Sequence, residues 1–206
     1  MATEQVLTSE NFPAEPEKAT MEGKNKMIGF WLFLGGETVL FATLFGTYLA
    51  LRNSTANGPS GEELFSLPLT FLATMLLLFS SLTSVYAMYQ MKNNEYGKMQ
   101  LWMWITVLLG LGFLILEIYE FNHYVHEGLK YTTSAFSSSF YTLVGFHGGH
   151  VVFGLCWIIT LLIRNSRRGL SLYTAPKFYV ASLYWHFIDV VWIFIFTAVY
   201  LMGKVG

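Results

Sequence analysis

Apolar residues gather in five long runs, at about 26–51, 67–91, 99–121, 136–163 and 178–202. Each run reaches the ~20 residues that a helix needs to cross a bilayer. Polar segments with turn-forming residues separate them. RNSTANGPSGEE follows the first run, with Asn57-Gly58 and Gly58-Pro59 as turn signals, and FNHYVHEGLKYTTS follows the third. No connection is long enough to fold as a domain of its own. A barrel would show short strands of alternating polarity, and the chain has none of that pattern. The expectation is an all-α integral membrane bundle of five transmembrane helices over residues 26–206, preceded by a polar tail over 1–25.

The tail holds five glutamates, two prolines and no arginine, which suits neither a cleavable signal peptide nor an Arg-rich transit peptide. It reads as a solvated segment, flexible or lying along the surface. Composition agrees with the spans. Of 206 residues 54% are hydrophobic and only 12% are charged, about half the charged share of a soluble domain. A net charge of −1 gives no field that would draw nucleic acid. The single cysteine, Cys156, excludes an intrachain disulfide and any Cys-rich metal site.

Basic residues set the expected orientation. With five spans, the tail and the second and fourth connections share one side, which carries Lys18, Lys24, Lys26, Lys92, Lys98, Arg164, Arg167, Arg168 and Lys177. The other side carries Arg52, Lys130 and Lys204. The N-terminus is therefore expected in the cytoplasm and the C-terminus outside.

Four acids lie inside the runs: Glu37, Glu117, Glu120 and Asp189. An acid at the bilayer centre costs about 2.5–3.5 kcal/mol on insertion scales, so each calls for a reason. Glu37 stands about 16 Å into the first span, near the midplane at 1.5 Å per residue. Gly35 and Gly36 before it would let another helix approach closely. It is either a protonated carboxyl bonded to a neighbouring helix or a proton-exchanging acid. In GFHGGHVVFG, His147 and His150 share a helical face, as do His186 and Asp189 in YWHFIDVVWIF and Glu117 and Glu120 in LEIYEF. Such pairs can grip a metal, but five histidines scattered over the chain do not make a tight box. Interhelical hydrogen bonding is the expected role, with His186 and Asp189 as a neutralised or ion-paired unit. No nucleophilic triad, phosphate loop or dinucleotide fingerprint is present.

Four segments in order, GGETVLF, EIYEF, GFHGGHV and YWHFIDVVWIF, resemble the signature segments of subunit III of the haem-copper terminal oxidases. The resemblance runs from about Met27 to Gly206. It implies a subunit with no catalytic residue, no metal and no redox cofactor of its own, with haem and copper held in partner subunits. It implies direct packing on subunit I, assembly with subunits II and IV, and support of proton uptake, lipid binding and durability of subunit I. Glu37 matches the family's buried glutamate, and Arg164 an arginine that holds a phospholipid head group. The longer members have seven spans. This chain has the five-span form and looks most like subunit III of bacterial cytochrome c oxidases of the plasma membrane, with the quinol-oxidising branch as the nearest alternative.

Two more distant readings compete. A metal-dependent membrane oxygenase would use His123, His126, His147, His150 and His186; a proton-coupled carrier would be built around Glu37 and Asp189.

Overall fold

The computed structural model describes residues 13–56, 61, 65–166 and 169–205. The start of the tail, the Asn57-Gly58-Pro59 turn, Arg167 and Arg168 lie outside the described residues. Five helices account for the runs: α1 (Met21–Leu51), α2 (Leu67–Lys92), α3 (Tyr96–His126), α4 (Ala135–Asn165) and α5 (Ala175–Ile195). All are long and apolar enough to cross a membrane. A hydrocarbon interior offers the backbone no partner, so the N–H and C=O groups in the middle of each span are satisfied within its own helix.

The ends differ from the expected boundaries for local reasons. α1 starts at Met21 because Thr20 caps it, accepting the Gly23 N–H at 3.0 Å. Before it, Pro16–Lys18 forms a 3-10 turn with Glu17 buried, 3.8 Å from Lys92, and Glu17 O lies where a Cβ on Gly23 would sit. This part of the tail is docked on the bundle end. α2 and α3 extend to Lys92 and His126, and each stops in a Schellman turn. Asn94 takes φ +57° while Glu95 N–H bonds Gln90 O at 3.0 Å. Gly128 takes φ +93° while Leu129 N–H bonds Tyr124 O at 2.9 Å. His123 and His126 thus fall in the last turns of α3, where a loop was expected. α4 begins in a capping box of Ser134 and Ser137. Pro68 and Pro176 open α2 and α5, where a missing N–H costs nothing.

Helices α2, α3, α4 and α5 pack in a ring, α2 on α3, α3 on α4, α4 on α5 and α5 on α2; α1 lies outside, against α4 and α5. The ring closes on Trp185 of α5. The side chain is fully buried, and its indole N–H donates to Ser80 Oγ of α2 at 2.9 Å. Its edge fills the space left by Gly110 of α3 and Gly154 of α4: a Cβ at Gly110 would come within 2.7 Å of the ring, and one at Gly154 within 3.3 Å. At the end opposite Lys92, Phe65 from the first connection sits among Tyr124, Phe136, Phe140 and Tyr200, with ring centroids 4.9–6.5 Å away. α5 then continues through a π-helical turn, Phe196–Leu201, into a final turn at Met202–Val205.

A methyl group at Gly110 must displace Trp185. Gly110→Ala is expected to cost about 1–3 kcal/mol by overpacking and to lower the unfolding midpoint in detergent. Gly112→Ala, whose Cβ would meet only Leu76 Cδ1 at 3.5 Å, is expected to leave that midpoint in place. Equal stability of the two variants would show that the ring does not depend on the slot.

Candidate functional site

Among the described residues, the acids and histidines inside the spans fall into four groups, and the helix pairings decide which meet. The first joins α1 to α4. Glu37 Oε2 lies 3.1 Å from His150 Nε2, and both residues are mostly buried. His150 Nδ1 lies 2.8 Å from the Phe146 carbonyl of the preceding turn. A carbonyl only accepts, so Nδ1 carries a hydrogen. Nε2 then either accepts from a protonated Glu37 or, on an imidazolium, donates to a carboxylate. In both cases one proton lies between the two residues, and the pair is neutral overall. Phe41, Phe146 and Tyr184 surround the imidazole, and Tyr184 OH donates to the His150 carbonyl at 3.2 Å. Beside the pair runs a groove of about 400 Å³ lined by Phe33, Gly145, Gly149, Phe153 and Tyr184. The Gly35–Gly36 step faces open space: a Cβ on either would meet nothing within 4 Å. Among the described residues, these glycines serve no close helix contact.

The second group surrounds Glu120 of α3. Oε1 accepts from Thr70 Oγ1 of α2 at 2.9 Å and from Tyr124 OH at 2.6 Å; Oε2 accepts from Tyr200 OH at 3.2 Å. Tyr200 belongs to the π-helical turn. One carboxyl thereby ties three membrane-spanning segments together. Glu117, one turn earlier, lies against Gly148 of α4, where a Cβ would come within 3.0 Å of Oε1. The glycine makes the room that this carboxyl occupies.

The third group is His147 of α4, fully buried, stacked on Trp192 at 5.2 Å and edge-on to Phe113 at 6.1 Å. Neither ring nitrogen has a hydrogen-bond partner among the described residues. His147 and His150 start from one face, yet the first points into the ring and the second to α1.

The fourth group is a seam between α2 and α5. Ser84 meets Ser182 at 2.7 Å, Ser81 meets His186 Nδ1 at 2.6 Å, and the indole N–H groups of Trp185 and Trp192 donate to Ser80 and Thr74 at 2.9 and 3.0 Å. This corrects the expected His186–Asp189 unit. His186 turns to Ser81 on the neighbouring helix, and both carboxyl oxygens of Asp189 are buried without a hydrogen-bond partner. The sequence signal for the seam was present in FSSLTS at the middle of α2: hydroxyls at that depth need an acceptor, and a facing helix supplies one.

No three His, Cys, Asp or Glu side chains converge as a metal site would require among the described residues. His123 and His126 lie at the end of α3, well removed in the chain from the mid-span histidines. Arg164 stands exposed at the end of α4, and none of the ion pairs among the described residues includes it.

The Glu120 knot yields a graded expectation. Tyr200→Phe removes one interhelical hydrogen bond, worth ~0.6 kcal/mol on average in a membrane. Glu120→Leu leaves three hydroxyls without their common acceptor and is expected to cost more than the sum of the single hydroxyl deletions. Refolding titrations in mixed micelles measure both; a smaller loss for Glu120→Leu than for Tyr200→Phe would refute the assignment.

Comparison with known proteins places this arrangement. The family described as cytochrome c oxidase subunit III matches residues 4–204. The chain is 74% identical over 207 residues to cytochrome c oxidase subunit 3 of Bacillus sp. (strain PS3), and 71% identical to that of Bacillus subtilis (strain 168), covering 100% of each. It is 50% identical over 196 residues to quinol oxidase subunit 3 of Bacillus subtilis (strain 168), covering 95% of both chains. With the family matched across almost its whole length and relatives aligned from end to end, the chain belongs to the cytochrome c oxidase subunit III family.

Proposed function

We propose that the chain is the non-catalytic subunit III of a proton-pumping terminal oxidase that passes electrons from cytochrome c to oxygen, forming water. The observation that carries this reading is the full-length identity of 74% and 71% to cytochrome c oxidase subunits, against 50% for the quinol-oxidising branch. In this reading haem and copper belong to partner subunits. The chain packs on subunit I, with subunits II and IV completing the complex. The membrane is the bacterial plasma membrane, with the basic end of the bundle in the cytoplasm, as nine basic residues against three favour.

The open face of α1 supports a docked partner or a lipid. Trp31, Leu32, Phe33, Val39 and Leu40 are exposed there beside Gly35 and Gly36. Arg164 suits a phospholipid head group because its guanidinium presents paired donors at the end of a span and no carboxylate among the described residues pairs with it. Glu37 and His150 suit a proton-related role. They share one proton, and moving it between Nε2 and Oε2 changes no net charge. Hydrogen bonds at Glu120 and His186 hold helices together, while Glu117 and His147 contribute by packing against Gly148 and Trp192.

Two measurements test this. Mild-detergent purification of the tagged chain should bring with it a large multi-span partner and a haem a-type difference spectrum, and oxygen uptake should follow reduced cytochrome c. A colourless preparation without that partner would overturn the subunit reading, and uptake driven by quinol alone would overturn the branch. For the buried acid, a hydrophobic carbodiimide reacts with a protonated carboxyl within reach of the lipid. Labelling is expected at Glu37, ahead of Glu62 and Glu63 in the first connection and ahead of the sealed Glu117 and Glu120; equal labelling at all five would remove the proton-related role.

A further inference from the structure

The tail segment before α1 fastens that helix to the bundle end. Its 3-10 turn, Pro16–Lys18, packs on α1 and α5 with Pro16 and Glu17 buried. The chain then doubles back at Thr20, whose carbonyl accepts the Lys24 N–H at 3.0 Å and whose hydroxyl accepts that of Gly23. Gly23 is the seat of this fold: a Cβ there would collide with Glu17 O and come within 3.3 Å of Pro176 Cγ of α5. The Glu17 side chain reaches one helix further, with Oε1 3.8 Å from the Lys92 ammonium at the end of α2. Since α1 itself packs mainly against α4 and α5, residues 13–20 carry its hold across to α2.

The fastening is closed but not tight. The Glu17 side chain is 1% exposed, yet Oε2 has no hydrogen-bond partner among the described residues, and 3.8 Å exceeds hydrogen-bond length for Oε1. A carboxylate enclosed in this way loses hydration that one ammonium at that distance does not replace. The neighbouring Glu15–Lys18 pair, at 3.0 Å, stands in the exposed part of the turn, where water screens it. An apolar side chain at position 17 would close the same contact more firmly. The enclosed charge therefore works against closure, while Pro16, the Gly23 seat and Lys92 work for it. We propose that residues 13–20 are a reversible clasp. Closed, they hold the first turn of α1 on α5 and α2. Open, they return Glu17 to water and leave α1 held by its contacts deeper in the span, the Glu37–His150 bond among them. Opening is a local event, separate from unfolding of the ring.

Amide hydrogen exchange tests this, read by mass spectrometry on the full chain in its complex as purified. The Lys18 N–H, bonded to Glu15 O, reports the clasp, and the Gly23 and Lys24 N–H groups report the first turn of α1. The Leu129 N–H, bonded to Tyr124 O at the opposite end, is the reference. Glu17→Met removes the enclosed charge and keeps the bulk, so exchange at the three amides is expected to slow roughly tenfold. Gly23→Ala fills the seat, so exchange there is expected to quicken roughly tenfold, although alanine is the better helix former. Lys92→Ala is expected to quicken exchange beside Glu17 and to change nothing in the Glu17→Met background. The Leu129 rate is expected to stay the same in all four variants. Equal or faster exchange in Glu17→Met would show that the carboxylate holds the segment down and would overturn the clasp. Unchanged exchange in Gly23→Ala would remove the seat, and equal effects of Lys92→Ala in both backgrounds would cut the link to α2. A Leu129 rate that moves with the others would make the opening part of global unfolding. Each of these results also overturns the proposal. If Gly23→Ala fails to assemble, Glu17→Met decides the matter.

Discussion

Four helices of this bundle meet on one indole. Trp185 sits in α5, donates to Ser80 of α2, and puts its ring edge in the space that Gly110 of α3 and Gly154 of α4 leave open. In lipid, apolar side chains gain little by leaving their surroundings for one another, so tight packing and satisfied polar groups must supply the cohesion. The Trp185 slot supplies both at one point. The other polar ties, Glu120 to Thr70 and Tyr200 and Trp192 to Thr74, depend on the helix spacing that this slot sets.

The same principle separates the ring from α1. The ring helices bury a face against two neighbours each, whereas α1 packs mainly against α4 and α5 and presents much of its length outward. Its polar anchor at mid-depth is the bond from Glu37 to His150. The pair carries no net charge whichever atom holds the proton, which lets an acid and an imidazole sit beside an open groove without a large penalty. Glu117 and Glu120 are handled differently, enclosed by glycine and by hydroxyl donors within the ring.

The spans were legible because charge is expelled from hydrocarbon, and the gaps between charged residues mark the helices within a few residues. Their ends were less so: Thr20, Asn94 and Gly128 set them through caps and left-handed turns, a local geometry that apolar runs do not report. Spacing placed His147 with His150 and His186 with Asp189 on shared faces, and the faces were right. The partners were not legible, since a face some 100° wide can look at two neighbours, and only tertiary packing chooses between them. The serines of α2 were passed over for the same reason: a hydroxyl can bond its own helix, and only the facing Ser182 and His186 reveal the seam. The tail read as solvated, flexible or lying along the surface; its described part lies against the bundle end, with Glu17 enclosed.

The peripheral seat of α1 has a consequence for the order of assembly. Glu37 and His150 are separated by 113 positions in the chain. At ~5–20 residues per second of synthesis, Glu37 precedes its imidazole partner by roughly 6–23 s. During that interval the ribosome delivers a helix bearing an acid at mid-depth before the surface that receives it exists. The nascent α1 therefore enters the membrane before its partners and joins α4 and α5 only after they are made. The first helix to be made is then among the last to settle, which leaves its outward face open to a neighbouring chain throughout biogenesis.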